Sequence, residues 1–102
     1  MAELHLSAAH ADSVRGILRA HLPAATRVRA FGSRATGKGL KRHSDLDLLI
    51  DSADEIPLSV VADLREALSE SDLPFTVDLL QRQDATAAFM ARIESEGLAD
   101  LT

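Results

Sequence analysis

Apolar residues along this chain follow a helical spacing in three segments and a strand-like alternation in three others. Apolar positions three or four residues apart predict helices over residues 7–22, 58–68 and 85–96. Runs rich in apolar and β-branched residues predict strands over residues 26–31, 46–50 and 74–80. Ser7 and Asp84 are predicted to cap the first and last helices, and Pro23 and Gly97 to end them. The chain therefore combines helices and strands throughout its length.

The strand predicted at 46–50 begins beside two acidic residues that share one face. Residues i and i+2 of a strand point to the same side, so Asp45 and Asp47 project together. Leu46, Leu48 and Ile50 then face the opposite side and predict a buried core. The same pattern also fits a simpler interpretation, in which Asp45 belongs to a turn and Asp47 to a solvated strand face.

A pair of carboxylates on one face is a candidate site for a divalent cation. Like charges repel each other unless a positive charge lies between them. Magnesium prefers oxygen ligands and typically combines one or two carboxylates with the phosphate oxygens of a substrate. Sites that transfer nucleotides often hold two such ions roughly 3.5–4 Å apart.

A Gly-Ser pair and a basic loop precede the two carboxylates. Gly32 permits a tight turn, and Ser33 could cap a short helix whose first N–H groups would face an anion. The loop at 34–44 carries no acidic residue and four basic ones, Arg34, Lys38, Lys41 and Arg42. Positive charge is thus concentrated beside the carboxylates, where a polyphosphate would use it. By itself, the Gly-Ser pair also fits an ordinary helix-capping turn.

A further acidic residue lies within the strand predicted at 74–80. Asp78 has the apolar neighbours Val77 and Leu79. A carboxylate inside an apolar strand is costly to bury unless it is paired or bound to a metal. Asp78 is therefore a third candidate ligand, although an aspartate making local hydrogen bonds at a strand end is the simpler alternative.

This combination resembles the minimal nucleotidyltransferases, small relatives of the DNA polymerase β and kanamycin nucleotidyltransferase superfamily. Their motif is Gly-Ser, a spacer of about ten residues, Asp-x-Asp, and a third carboxylate on a later strand. Here Gly32 and Ser33 are followed by an eleven-residue spacer and then by Asp45 and Asp47. The spacer is one residue longer than the commonest form, and the likeness extends over about residues 26–97.

The resemblance implies an α+β fold, the two-layer α/β polymerase-β-like nucleotidyltransferase fold. Its small mixed sheet would have about three strands, with helices packed on one face. Asp45 and Asp47 would hold two Mg²⁺ ions, and Asp78 would complete the site of the catalytic ion. The resemblance implies nucleotide binding through Gly32, Ser33, Arg34, Lys38 and Lys41.

The resemblance also implies a partner. Minimal nucleotidyltransferases often pair with small helical proteins of the HEPN class, as in the MntA–HepT toxin–antitoxin modules. The antitoxin there transfers AMP from ATP to a tyrosine of the toxin. An adenylylating antitoxin of this kind is therefore expected, with a homo- or hetero-oligomer as its possible assembly.

Composition predicts one domain over residues 1–102, which is near the usual domain size. The absence of cysteine excludes a disulfide framework and a thiolate metal site, and suits the cytoplasm. The N-terminal sequence resembles no signal peptide, and no segment is apolar enough to span a membrane. A net charge of −5 argues against general binding of nucleic acid.

Two other functional classes fit parts of the pattern. One is a binding antitoxin or regulatory subunit that uses the same fold without catalysis, although the presence of all three carboxylates argues against it. The other is a phosphatase of the dehalogenase type, whose nucleophilic Asp stands at the end of a strand. In such an enzyme a Thr or Val occupies the position that Leu49 has here, and the acids of this chain begin the strand instead.

Overall fold

The computed structural model describes residues 3–102, and its elements follow the predicted order with several additions. The helices are α1 (Ala8–His21), α2 (Ser33–Thr36), α3 (Leu58–Glu70) and α4 (Ala87–Glu96). The strands are β1 (Arg27–Phe31), β2 (Leu46–Asp51), β3 (Val77–Gln81) and β4 (Ala99–Asp100). Residues 1 and 2, which the predicted domain and N-terminal segment include, lie outside the described residues.

The strands form one mixed sheet in the order β3-β2-β1-β4. β1 pairs with β2 and with β4 in antiparallel orientation, whereas β2 pairs with β3 in parallel orientation. Parallel pairing requires a crossover connection between the two strands, and α3 provides it. The predicted α+β fold is confirmed, and β4 adds a fourth strand to the three expected. Two residues are too few to show a strand alternation in the sequence.

The first face of the sheet packs against α1 and α3. Leu46, Leu48 and Ile50 of β2 are fully buried on this face, as the alternation predicted. They lie in one cluster with Val14 of α1 and Leu64 of α3. Each buried side chain of this size contributes about 1.5–3 kcal/mol relative to an exposed one, so this cluster fixes the position of β2.

The second face of the sheet is partly covered by α4. Leu49 points away from the first face and is buried against Met90 and Ile93 of α4. This differs from the expected arrangement with helices on one face only, because the apolar stripe of α4 packs against Leu49. Asp47 shares this second face and is half-buried.

The ends of the helices agree with the sequence prediction in part. Ser7 caps α1 as predicted, since its hydroxyl accepts a hydrogen bond from the backbone N–H of His10. α4 begins later than predicted and is capped by Thr86, because Asp84 lies in a short 3-10 turn. Gly97 ends α4 with φ of 118°. Within residues 3–102, none of the helices has the length and apolar character that crossing a bilayer demands.

Candidate active site

The Gly-Ser turn lies directly against the second carboxylate. Phe31, the last residue of β1, pairs with Asp47 of β2, so the chain turns at Gly32 beside that side chain. Gly32 has φ of 74°, in the left-handed region that side chains disfavour. A Cβ atom added to Gly32 would lie 2.7 Å from Oδ2 of Asp47. The turn therefore requires glycine both for its backbone conformation and for the space that the carboxylate occupies.

The parallel register of β2 and β3 brings the third carboxylate to the same place. Asp47 pairs directly with Asp78, and neighbouring strands lie about 4.7–4.9 Å apart. Asp45 immediately precedes β2, is exposed, and acts electrostatically on Asp47. The three predicted carboxylates are thus brought together where β2 and β3 begin.

The electrostatics of Asp47 reflect this clustering. Burial raises the pKa of Asp47 from 3.8 to about 6, together with the negative charges of Asp78 and Asp45 and a hydrogen bond to Asp78. Burial is the largest of these causes, and the charge of Asp78 is the second. The ionised form of Asp47 is thereby destabilised, and a cation bound among the three carboxylates would offset this penalty.

The donor set fits a magnesium ion that shares its coordination with a substrate. All the candidate ligands are carboxylate oxygens, which magnesium prefers over nitrogen and sulfur. Among residues 3–102, no three acidic, histidine or cysteine side chains are arranged to hold a metal ion by themselves. Magnesium usually completes its octahedron with phosphate oxygens and water, so an open cluster of carboxylates is suited to it.

Ser33 begins the four-residue helix α2 next to Gly32. The carbonyl of Gly32 accepts hydrogen bonds from the N–H groups of Ala35 and Thr36. The N–H groups of Ser33 and Arg34 precede the first helical hydrogen bond, so no helical carbonyl is in position to accept from them. The Gly-Ser turn, whose Gly32 lies against Asp47, therefore carries the hydroxyl of Ser33 and these N–H groups as hydrogen-bond donors.

Arg34, predicted to contact the nucleotide, is nearly buried in the loop. Only 8% of the residue is exposed, and its guanidinium donates to three backbone carbonyls. The acceptors are the carbonyls of Ser44 at 3.0 Å, His5 at 3.1 Å and Arg42 at 3.4 Å. The guanidinium also stacks on the ring of Phe75 at 4.5 Å from its centroid.

Through these contacts, Arg34 stabilises the conformation of the loop that precedes Asp45 and Asp47. Arg34 joins the N-terminal segment, the end of the loop and the approach to β3. Ser44 directly precedes Asp45, so Arg34 fixes the backbone from which that carboxylate projects. The sequence did not reveal this role, because a buried arginine and a phosphate-binding arginine look the same in a basic loop.

The two lysines lie on the exposed part of the loop. Lys38 lines a polar cleft of about 510 Å³ together with His5, Glu94 and Glu96, and none of the three candidate ligands lines it. Lys41 is exposed, and its backbone N–H donates to the hydroxyl of Ser44 at 2.7 Å. Lys38 therefore faces a cleft that is separate from the three carboxylates, and Lys41 lies on the exposed surface of the loop.

The sequence of the chain is similar to that of a known protein family and of a known protein. Residues 14–99 match the family described as "Polymerase beta, Nucleotidyltransferase". The chain is 46% identical over 79 residues to the probable protein adenylyltransferase MntA of Haemophilus influenzae. That match covers 78% of this chain and 68% of the relative.

Two crystal structures share the fold. One is of a toxin–antitoxin with AMP-PNP, with a TM-score of 0.70, 23% identity, and coverage of 90% of this chain and 72% of that one. The other is of a mutant of the toxin–antitoxin MntA-HpeT, with a TM-score of 0.68, 21% identity, and coverage of 90% and 71%. These identities support the fold, while the family match and the MntA relative establish descent. The chain therefore belongs to the polymerase β nucleotidyltransferase family and is a homologue of MntA.

Proposed function

We propose that this chain is an antitoxin that transfers AMP from ATP to a tyrosine hydroxyl of a small helical HEPN-type toxin. The MntA relative is named a probable protein adenylyltransferase, and both structural neighbours are toxin–antitoxin structures. One of these neighbours contains AMP-PNP, which is an analogue of ATP. These facts support the proposed nucleotide and the proposed kind of partner. The proposal also takes the cytoplasm as the compartment and residues 1–102 as one catalytic domain.

The observation that carries this proposal is the convergence of the three carboxylates at the Gly32 turn. A structural cluster of acids would be a liability, because burial and like charges disfavour the ionised form of Asp47. Asp45 and Asp47 would hold two magnesium ions, and Asp78 would share one of them. Bound magnesium would supply Lewis-acid stabilisation of charge on the phosphates.

The chain's own residues then have distinct tasks in the transfer. The acceptor oxygen attacks the α-phosphorus of ATP, the bond from this phosphorus to the bridging oxygen breaks, and pyrophosphate leaves. The carboxylate of Asp78 accepts the proton of the hydroxyl. Gly32 and Ser33 hold the terminal phosphates through the donors of the turn. Lys38 and Lys41 add attraction at longer range, and Arg34 positions the loop from which Asp45 projects.

The test compares Asp78→Asn with Asp63→Asn, a matched control on the exposed side of α3. Each variant is incubated with ATP labelled on the α-phosphate, magnesium and the protein encoded by the neighbouring reading frame. Label on the partner and suppression of the partner's toxicity in cells are measured in parallel. We expect Asp78→Asn to lose both by at least roughly 100-fold, the scale of a general base contribution, and Asp63→Asn to retain both.

Two outcomes would contradict the proposal. Transfer at the wild-type rate by Asp78→Asn would show that Asp78 is not a catalytic residue. Loss of labelling with full suppression of toxicity would favour the non-catalytic binding antitoxin on the same fold.

A further inference from the structure

Strand β3 forms an edge of the sheet, next to the carboxylate cluster. Among the described residues, the sheet ends at β3, with β2 on its inner side. The carbonyl of Thr76 accepts from the N–H of Leu46, and the parallel register continues through Asp47 paired with Asp78. Because backbone groups of successive residues point to opposite sides of a strand, Val77 and Leu79 direct theirs away from β2.

The contact of Arg65 agrees with this assignment. Its guanidinium lies 3.5 Å from the carbonyl oxygen of Leu79, on the outer side of β3. Arg65 belongs to α3 and is exposed, so this charged side chain covers part of the edge without closing it. A positive charge over an edge strand is a common protection against uncontrolled pairing.

A cleft of about 350 Å³ runs beside this edge between α3 and β3. Its apolar lining comes from α3, from the turn before β3 and from β3 itself, namely Leu68, Leu73, Phe75 and Val77. Its polar lining comes from α3, from the residue before β3 and from β3, namely Arg65, Ser69, Thr76 and Asp78. Asp78, the carboxylate proposed to accept the hydroxyl proton, therefore lines the same cleft as these apolar side chains.

We propose that the acceptor protein docks through an extended segment that pairs with the outer edge of β3. This inference rests on the proposed function and adds where the acceptor binds. An added strand would lie about 4.7–4.9 Å from β3 and use the backbone groups of Val77 and Leu79. A hydroxyl side chain on the face of Asp78 would then stand beside that carboxylate.

The alternation of the added strand determines the chemistry of the acceptor segment. In the added strand, the side chains before and after the hydroxyl residue point to the face of the sheet opposite to Asp78. On this face lies the apolar lining of Leu68, Leu73 and Val77, so an apolar neighbour fits there. Arg65 at the rim complements a carboxylate of the same segment. The acceptor is thus an extended, hydroxyl-bearing segment with an apolar neighbour and an acidic residue.

Amide hydrogen exchange tests the strand pairing in the wild-type complex. The probe is the protein of the neighbouring reading frame that receives the label. Pairing should slow the exchange of the Val77 and Leu79 N–H groups at least tenfold when this protein is bound. The N–H of Asp78, directed towards β2, is the internal control and should change much less. Unchanged exchange of Val77 and Leu79 in the bound complex would overturn the inference.

Two serines of α3 provide a second test that separates docking from chemistry. Ser69→Trp fills the cleft, whereas Ser59→Trp places the same side chain at an exposed position at the other end of the helix. We expect Ser69→Trp to reduce transfer to the partner at least tenfold with ATP affinity unchanged, and Ser59→Trp to behave as wild type.

The outcomes distinguish the two proposals. Absence of transfer by the wild-type protein would refute the proposed function itself. Normal transfer by wild type and by a folded Ser69→Trp variant would refute only the docking site. If Ser69→Trp does not fold, the exchange experiment on the wild-type complex decides the matter.

Discussion

Replacing Asp47 by asparagine should stabilise the metal-free protein at neutral pH while abolishing transfer. The pKa of Asp47 rises from 3.8 to about 6 on folding, so the folded chain must ionise a carboxylate that burial and two like charges disfavour. That rise corresponds to ~3 kcal/mol, at about 1.4 kcal/mol per pKa unit. Asp47 is half-buried, and screening by solvent reduces the expected gain to ~1–2 kcal/mol.

The sign of the pH dependence follows from the direction of this change. Between pH 3.8 and about 6 the folded state binds more protons at Asp47 than the unfolded state does. Asp47 therefore makes the wild-type protein less stable as pH rises through this window, and the loss is complete above it. The stability advantage of Asp47→Asn should be small near pH 4, grow through the window and then level off.

Urea denaturation in EDTA measures this effect, with Asp63→Asn as the control for removing one exposed charge. In a chain of this size, 1 kcal/mol also corresponds to about 4–8 °C in Tm. Magnesium with ATP should reduce or reverse the advantage, because a ligand that binds only the folded wild type stabilises it. An Asp47→Asn protein that is less stable than wild type at neutral pH, or a pH-independent difference, would refute this reasoning.

Three further predictions concern the turn and the loop. Gly32→Ala should lower the free energy of unfolding by about 1–2 kcal/mol through its positive φ and abolish transfer by displacing the carboxylate of Asp47, whereas near-normal labelling of the partner would contradict this contact. Arg34→Lys should cost about 2–4 kcal/mol in urea denaturation, because an ammonium group cannot serve the three carbonyls, and an unchanged midpoint would show that these bonds contribute little. Lys38→Glu combined with Lys41→Glu should weaken ATP binding in titrations, more at low salt than at high salt, and an unchanged affinity would separate the loop from the polyphosphate.

Much of the fold could be predicted because successive side chains of a strand point to opposite faces of the sheet. Assigning the residues of one face therefore also assigns those of the other. The apolar residues of β2 had to point one way, and Asp47 therefore had to point the other. The pairing of Asp47 with Asp78 depends on a register between distant segments, which the residues alone did not reveal. The family resemblance implied only that the two carboxylates share a site. The roles of these carboxylates in catalysis stay predictions.

Other features left no local signal in the sequence. Arg34 is buried by contacts with two distant segments and with the end of its own loop, and a count of charges in the loop cannot distinguish such an arginine from an exposed one. The packing of α4 on the second face depends on Leu49, which in the sequence is one apolar residue among several in β2. The short strand β4 exists through its pairing with β1 and not through its own propensity.

The contact between Gly32 and Asp47 also limits how this protein can change by mutation. Every single-base change of a glycine codon that alters the residue adds a side chain or stops translation. The space for the first carbon of that side chain is already filled by a carboxylate oxygen at 2.7 Å. A single-base change can replace Asp45, Asp47 or Asp78 by glutamate, which keeps a carboxyl group. No single-base change replaces Gly32 by a residue without a side chain. A single substitution of Gly32 would therefore abolish transfer activity. Gradual changes of the site during evolution must occur at other residues.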